Sequence, residues 1–214
     1  MSARCKYPRT FHFPWSPGAT SDDKVLDSVG HFVGRRVVVT EKLDGENTSI
    51  YADSYSHARS MDSAHHPSRA WIKAQVAPLM VGNLPEGWRV CGEGVYARHS
   101  IGYDRLPSYF LVFAIYDENN RCLSWDETVE WCALLGLEHV PVIYDGPWDE
   151  ETIKAAWTGQ SAFGDVGEGY VVRVADAFDY DAFADSVAKY VRPGHVQTGQ
   201  HWMSQEITPN GLRG

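Results

Sequence analysis

The sequence predicts an α+β domain of largely antiparallel sheets with helices packed on the outside. Three observations lead there. Two strand-like runs, Val37-Val38-Val39-Thr40 and Thr48-Ser49-Ile50-Tyr51-Ala52, are separated only by a short polar turn. The stretch Tyr109-Phe110-Leu111-Val112-Phe113-Ala114-Ile115-Tyr116 is nearly continuous apolar and aromatic, which fits a buried central strand. Between such runs lie amphipathic segments that carry their own capping residues.

Taken in order, residues 1–20 are rich in Pro, aromatic residues and Arg, and read as an ordered extended arm whose aromatics need burial. Ser21-Asp22-Asp23 offers an N-cap and an acidic first turn, so a helix is expected with Val25, Leu26, Val29, Phe32 and Val33 inward, ending near Gly34. The pair of runs around the 41–47 turn reads as hairpin-like. His65-His66 has no evident metal partners and reads as an exposed loop pair. Pro67-Ser68-Arg69 opens a second helix with Trp71, Ile72, Val76, Leu79 and Met80 on one face, ending near Gly82. Trp88 to Tyr96 is a strand, and Arg98, His99 and Arg105 fall in the polar loop after it, where they either contact phosphates or form a solvated face, the latter being the expectation.

Ser124-x-x-Glu127 is a capping box that starts a third helix, with Val129, Cys132 and Leu135 inward and Gly136 as its stop. Val140 to Tyr144 is a short strand, and residues 149–157 form a fourth helix. Gly167 to Val174 and Ser186 to Arg192 complete the strands. There is no internal repeat and no low-complexity linker.

The composition excludes several classes. No apolar run approaches the roughly 18 to 20 residues that span a bilayer, and the N-terminus leads into Pro, His and Trp rather than a signal-peptide core. The four cysteines show no C-x-x-C pairing, so they read as core thiols in a reducing cytoplasm rather than as disulfides or a zinc site. A net charge of -9 argues against one broad basic face coating nucleic acid. A few arginines in a cleft still suffice to grip one strand end, through local and salt-sensitive contacts.

The most informative feature is polar residues that interrupt the best strands where alternation calls for shelter. Lys42, Glu93, Glu168 and Lys189 do so, with Arg59 nearby. Buried charge is costly unless it is paired or ligand-bound. Together these five imply one polar cleft that binds something anionic along with a cation; ordinary surface salt bridges are the competing account for each. Lys42 stands out. A lysine held between strands beside a glycine turn becomes nucleophilic once a fixed, desolvated, cation-rich setting lowers its pKa.

The order of these segments resembles the covalent nucleotidyltransferases, the superfamily of ATP-dependent RNA and DNA ligases and mRNA capping enzymes. Lys42-Leu43-Asp44-Gly45 matches motif I, K-x-D-G, flanked by Glu41 and Asn47 as in RNA ligases. Arg59 resembles the motif Ia arginine, Glu93 the acidic residue upstream of motif III, and Phe113 the motif III aromatic. Glu168-Gly169-Tyr170-Val171-Val172-Arg173 resembles motif IV, and Lys189-Tyr190-Val191-Arg192 motif V. The resemblance spans residues 37–192. It departs at Val191, where nick-sealing RNA ligases carry a second lysine, so Arg192 either substitutes or points elsewhere. Residues 193–214 are too short for an OB-fold domain, which steers the resemblance to RNA ligases and implies one adenylyltransferase domain over 1–214, with an ATP-grasp-like nucleotidyltransferase fold.

What the resemblance implies is a three-step seal: a lysyl-AMP at Lys42, AMP transfer to an RNA 5′-phosphate, and displacement by a 3′-hydroxyl, in the context of RNA repair. ATP is the AMP donor. Mg²⁺ or Mn²⁺ is held by Glu168, and Lys189 touches the same phosphate. Phe113 stacks on adenine, Glu93 accepts from the ribose hydroxyls, and Glu41, Asn47, Arg59 and Arg192 complete the nucleotide site. Core filling competes for Phe113, and a self-satisfied turn for Asn47; Asp44 and Gly45 shape the turn, Gly45 by taking a conformation that a β-carbon resists. A compact DNA ligase, an RNA guanylyltransferase and a non-sealing nucleotide- or RNA-end-binding module are the alternatives. The acidic charge leaves room for a partner protein that supplies RNA-binding surface.

Overall fold

The computed structural model describes residues 4–61, 66–195 and 206–214. Twelve strands among them form two sheets: β1 (Phe11–His12), β2 (Arg36–Lys42), β3 (Glu46–Tyr51), β4 (Ser56–Ala58), β5 (Arg89–Gly94), β6 (Phe110–Tyr116), β7 (Arg121–Cys122), β8 (Glu138–His139), β9 (Val142–Pro147), β10 (Gly169–Val174), β11 (Phe178–Asp179) and β12 (Val187–Val191). One sheet runs β1-β12-β10-β2-β9, the other β11-β7-β6-β5-β3-β4, with β8 beside β6. All pairings are antiparallel except β1 with β12 and β6 with β8. The α+β expectation is met, with Phe110–Tyr116 central in its sheet as anticipated.

The runs on either side of residues 41–47 do not form a hairpin. β2 pairs with β10 and β9 in the first sheet, and β3 with β5 and β4 in the second. Leu43, Asp44 and Gly45 therefore carry the chain from one sheet to the other, and Lys42 stands at the crossing. Gly45 is required here by proximity. A β-carbon would lie 2.5 Å from the Gly94 carbonyl oxygen and 2.8 Å from Val95 Cγ1, closer than such contacts tolerate. Its backbone is not left-handed, so the anticipated conformational reason is replaced by a steric one.

The helix expected after Asp23 does not form; the segment holds one 3-10 turn at Gly30–Phe32. Its backbone is committed elsewhere. His12 donates to the Lys24 carbonyl and Leu26 donates to the His12 carbonyl, each at 2.8 Å, so residues 24–26 pair with the arm instead of coiling. Asp23 accepts from the backbone and hydroxyl of Thr20, closing a turn rather than capping a helix. Leu26 and Phe32 are buried as expected, but Val25 and Val33 are exposed.

The second helix is split. A 3-10 turn at Pro67–Arg69 leads to α1 (Ala70–Gln75) and then α2 (Ala77–Met80), because Pro78 supplies no N–H to continue the ladder. Leu79 is exposed rather than inward. The third and fourth helices, α3 (Trp125–Leu135) and α4 (Glu150–Ala156), form as read: Ser124 and Glu127 exchange both capping bonds, Gly136 takes the left-handed stop, and Asp149 caps α4. Cys91, Cys122 and Cys132 are buried free thiols, and Cys5 is half-buried. No helix among the described residues is long and apolar enough to cross a membrane.

Candidate active site

The two sheets enclose a cavity of about 700 Å³, and the residues that line it include Glu41, Lys42, Asn47, Arg59, Glu93, Phe113, Glu168 and Lys189. Strand register brings these together. On β10, Gly169 faces Lys42 of β2, and Val171 faces both Thr40 of β2 and Lys189 of β12. In the other sheet Asn47 of β3 faces Glu93 of β5, and Glu93 in turn faces Leu111 of β6. Close strand pairing is enforced at Gly169, where a β-carbon would lie 1.9 Å from the Tyr190 carbonyl oxygen.

At the centre, Lys42 Nζ donates to both oxygens of Glu168, at 2.6 and 2.7 Å. The Glu168 side chain is 2% exposed, and that of Lys42 is 23% exposed, towards the cavity. Burial pushes the Glu168 carboxyl up, but the charge of Lys42 and the hydrogen bonds from His195 and Lys42 outweigh it and hold the group below the usual range. Burial likewise opposes charge on Lys42, yet Glu168, Glu93 and Asp44 together hold its ammonium above the ordinary lysine value. The side chains around Lys42 do not by themselves supply the cation-rich setting: its nearest charges are carboxylates, which favour the ammonium.

Glu93 behaves in the opposite sense to Glu168. Burial, opposed by Lys42 and reinforced by Glu168, Asp44 and Glu46, pushes its carboxyl up to about 8. At neutral pH it is a carboxylic acid that can both donate and accept. Lys189 is pushed down to about 8 by burial and by the charge of Lys42. Around Lys42 the cleft therefore sets the Glu168 carboxylate, the protonated acid of Glu93 and the second amine of Lys189, a set suited to a phosphate-bearing ligand with polar hydroxyls.

The remaining expected residues vary in placement. Glu41 is buried, with Oε2 accepting from the Ala162 N–H at 2.9 Å and Oε1 without a hydrogen-bond partner. Asn47 has its Oδ1 buried and unpartnered, so the self-satisfied turn is not what occupies that oxygen. Arg59 is exposed at the cavity rim. Phe113 is half-buried, with Tyr7 edge-on at 5.0 Å between ring centroids.

Arg192 is the exception. Its side chain is not among those lining the cavity, and it donates weakly to the Pro193 carbonyl at 3.5 Å. Only its backbone serves the site, donating to the Glu168 carbonyl at 3.0 Å. Val191, buried on the same strand, fills core instead.

Several residues at the site escaped the sequence reading. Asp44 does more than shape a turn. Its Oδ2 accepts from the Ser100 N–H, the Ser100 hydroxyl and the Ile101 N–H, while Oδ1 lies 3.7 Å from His195 Nε2 and 4.0 Å from His99 Nδ1. His195 Nε2 also lies 3.2 Å from Glu168 Oε1. His99 and His66 line the cavity, against the expectation of solvated loops, whereas Arg98 and Arg105 are exposed as anticipated. His65 lies outside the described residues. Arg69 grips Glu46 through two hydrogen bonds, at 2.6 and 2.5 Å. Arg173 lines the cavity floor and donates to the carbonyls of Leu123 and Val174. Tyr7, Pro8 and Thr10 bring the N-terminal arm to the same wall.

Two sheets joined by a lysine-bearing crossing, with acidic and basic partners around one cavity, define a nucleotidyltransferase fold. Within that class the chain belongs to the RNA ligase family, whose pattern matches residues 35–191. Among solved structures it is similar to Naegleria gruberi RNA ligase. A lysine-to-alanine mutant of that protein with ATP and Mn is 20% identical, with a TM-score of 0.60, covering 77% of this chain and 52% of the other. The same ligase with pyrophosphate is 21% identical, with a TM-score of 0.60 and coverages of 77% and 51%. A lysine-to-methionine mutant with AMP and Mn is 20% identical, with a TM-score of 0.56 and coverages of 77% and 52%. The chain thus spans about half the length of that ligase. No curated protein matches the sequence.

Proposed function

We propose that this chain is an ATP-dependent RNA ligase working through a lysyl-AMP at Lys42. The observation that carries the reading is the amine of Lys42 at the inter-sheet crossing, held by Glu168 and sharing one cavity with Glu93, Phe113 and Lys189. Lys42 Nζ attacks the α-phosphorus of ATP in line. The ammonium first sheds one proton to free its lone pair, the bond from that phosphorus to the bridging oxygen breaks, pyrophosphate leaves, and Nζ releases its second proton to solvent as the phosphoramidate forms. The AMP then passes to the 5′-phosphate of an RNA end, and a 3′-hydroxyl displaces it to make the phosphodiester. Such transfers rest on positioning and charge stabilisation.

Each residue has a part in this scheme. Lys189 contacts the α-phosphate, Phe113 stacks on adenine, and Glu93, protonated at neutral pH, exchanges hydrogen bonds with the ribose hydroxyls. Asn47 offers its unpartnered oxygen to the nucleotide, Arg59 reaches it from the rim, and Glu41 adds its own unpartnered oxygen. Glu168 would hold Mg²⁺ or Mn²⁺, whose positive charge would compete with the Lys42 ammonium for the carboxylate and offset charge on the α-phosphate. The donor set fits such an ion: ligand atoms of Asp44, Glu168 and His195 all lie within 4.8 Å of one another. RNA with 5′-phosphate and 3′-hydroxyl ends is the substrate, and repair of breaks in cytoplasmic RNA is the setting that fits free thiols. A partner protein that adds RNA-gripping surface is compatible with the acidic charge of -9.

The test is covalent labelling. With α-labelled ATP and a divalent ion, the protein retains label on a denaturing gel, and Lys42→Ala does not. Label from GTP alone indicates a guanylyltransferase. Sealing of nicked DNA but not RNA indicates a DNA ligase. No label with either nucleotide reduces the chain to an end-binding module, a reading favoured only by the absence of the Arg192 side chain from the cavity.

A further inference from the structure

We infer that His195 is a direct nitrogen ligand for the divalent ion of this site, alongside Asp44 and Glu168, and that it tilts the site towards Mn²⁺ over Mg²⁺. The inference rests on the ligase reading only for why an ion is needed; the ion site itself is argued from geometry.

The imidazole of His195 is 2% exposed, with Nε2 lying 3.2 Å from Glu168 Oε1 and 3.7 Å from Asp44 Oδ1. Metal–ligand bonds of about 2.1 Å place neighbouring donors of an octahedral site about 3.0 Å apart and opposite donors about 4.2 Å apart. The three side chains already stand near those separations. Asp44 is fixed for the task. Three donors from Ser100 and Ile101 occupy its Oδ2, leaving Oδ1 turned to the imidazole. Lys42 occupies Glu168 in the meantime, so one cation stands where another is to bind.

The tautomer supplies a second, independent observation. His195 Nδ1 is buried and has no hydrogen-bond partner. If Nε2 carries the proton and donates to Glu168, then Nδ1 is a buried acceptor without a donor. If Nδ1 carries the proton, that N–H is a buried donor without an acceptor and the Nε2 lone pair points at two carboxylates; a cation among the three relieves the second of these. Imidazole is a poor ligand for Mg²⁺, which demands hard oxygen donors, and a better one for first-row transition ions, of which Mn²⁺ gains least. An all-oxygen set would not discriminate in this way.

The experiment uses the full chain without nucleotide, loaded with Mn²⁺ alone. Pulsed electron paramagnetic resonance is expected to show a directly bound nitrogen whose signature changes when histidine is ¹⁵N-labelled, and which is lost in His195→Gln. That variant is expected to bind Mn²⁺ at least about tenfold more weakly, with a smaller change for Mg²⁺. His195→Asp is expected to restore binding through oxygen while erasing the preference for Mn²⁺, which guards against misfolding of the first variant. Mn²⁺ bound through oxygen alone in the wild type, or a nitrogen signal unchanged in both variants, overturns the assignment. Lys42 labelling in the same preparations separates the two claims. Label with an all-oxygen ion removes His195 and leaves the ligase; a nitrogen-bound ion without label leaves His195 and removes the ligase.

Discussion

Glu168 lies one residue before Gly169, the partner of Lys42 across the β2–β10 pair, so the sheet register itself delivers the carboxylate to the amine. On the proposed reading, the consequence is an amine placed for attack but protonated until its partner is drawn away. The surrounding carboxylates, against the effect of burial, therefore set the site in a resting state.

That state predicts a pH dependence for the first step. With the Lys42 ammonium held above its ordinary pKa, only a small fraction is free base at neutral pH. The initial rate of AMP attachment is expected to climb with pH from 6 towards 9, at up to about tenfold per unit. Rapid-quench labelling checks this. A flat profile would mean that deprotonation does not limit the step.

Removing the amine has a structural cost as well as a catalytic one. Lys42→Ala leaves Glu168 buried beside His195 alone. Breaking a buried pair by deleting one partner costs about 3–5 kcal/mol, and the low end is expected because the Lys42 side chain is 23% exposed. Denaturant unfolding of the variant measures this, and labelling is lost altogether.

Glu93 should leave a mark on stability. Its folded pKa of about 8 stands above the value of 4.5 for a free glutamate, so the folded state binds more protons between those pH values. The stability this brings is present in full below about pH 4.5 and is lost as pH rises through 8, at no more than about 1.4 kcal/mol per unit. Glu93→Gln is expected to flatten the curve across that window and to be the more stable form at pH 8.5. Unfolding midpoints of both proteins at pH 5.5 and 8.5 decide the matter.

Motif V should act through one side chain. Lys189→Ala is expected to reduce the labelling rate by about a hundredfold or more, the usual loss when one charge-stabilising donor is removed. Arg192→Ala is expected to stay within about threefold of wild type, because its side chain is off the cavity. Equal losses in single-turnover rates would return Arg192 to the site.

The crossing can be probed at Gly45. A methyl group there meets the Gly94 carbonyl oxygen at 2.5 Å, a backbone atom that cannot swing aside as a flexible side chain would. Gly45→Ala is expected to cost about 1–3 kcal/mol and to impair labelling together with stability. Thermal unfolding and the labelling assay, run side by side, test whether the two effects travel together.

Much of this molecule was written in local pattern. The capping box at Ser124 and Glu127, the apolar run of β6 and the charged interruptions at 42, 93, 168 and 189 are visible in the chain because caps, alternation and the cost of buried charge act over a few residues. Tertiary structure alone decided what those residues meet. It split the apparent hairpin between two sheets, spent the backbone of residues 24–26 on the N-terminal arm, and turned Arg192 away. It also brought Asp44 and His195 together from 151 positions apart. Sequence spacing carries no trace of that last contact, because two side chains from loops with no shared period become neighbours only when the sheets that carry them close on a common cavity.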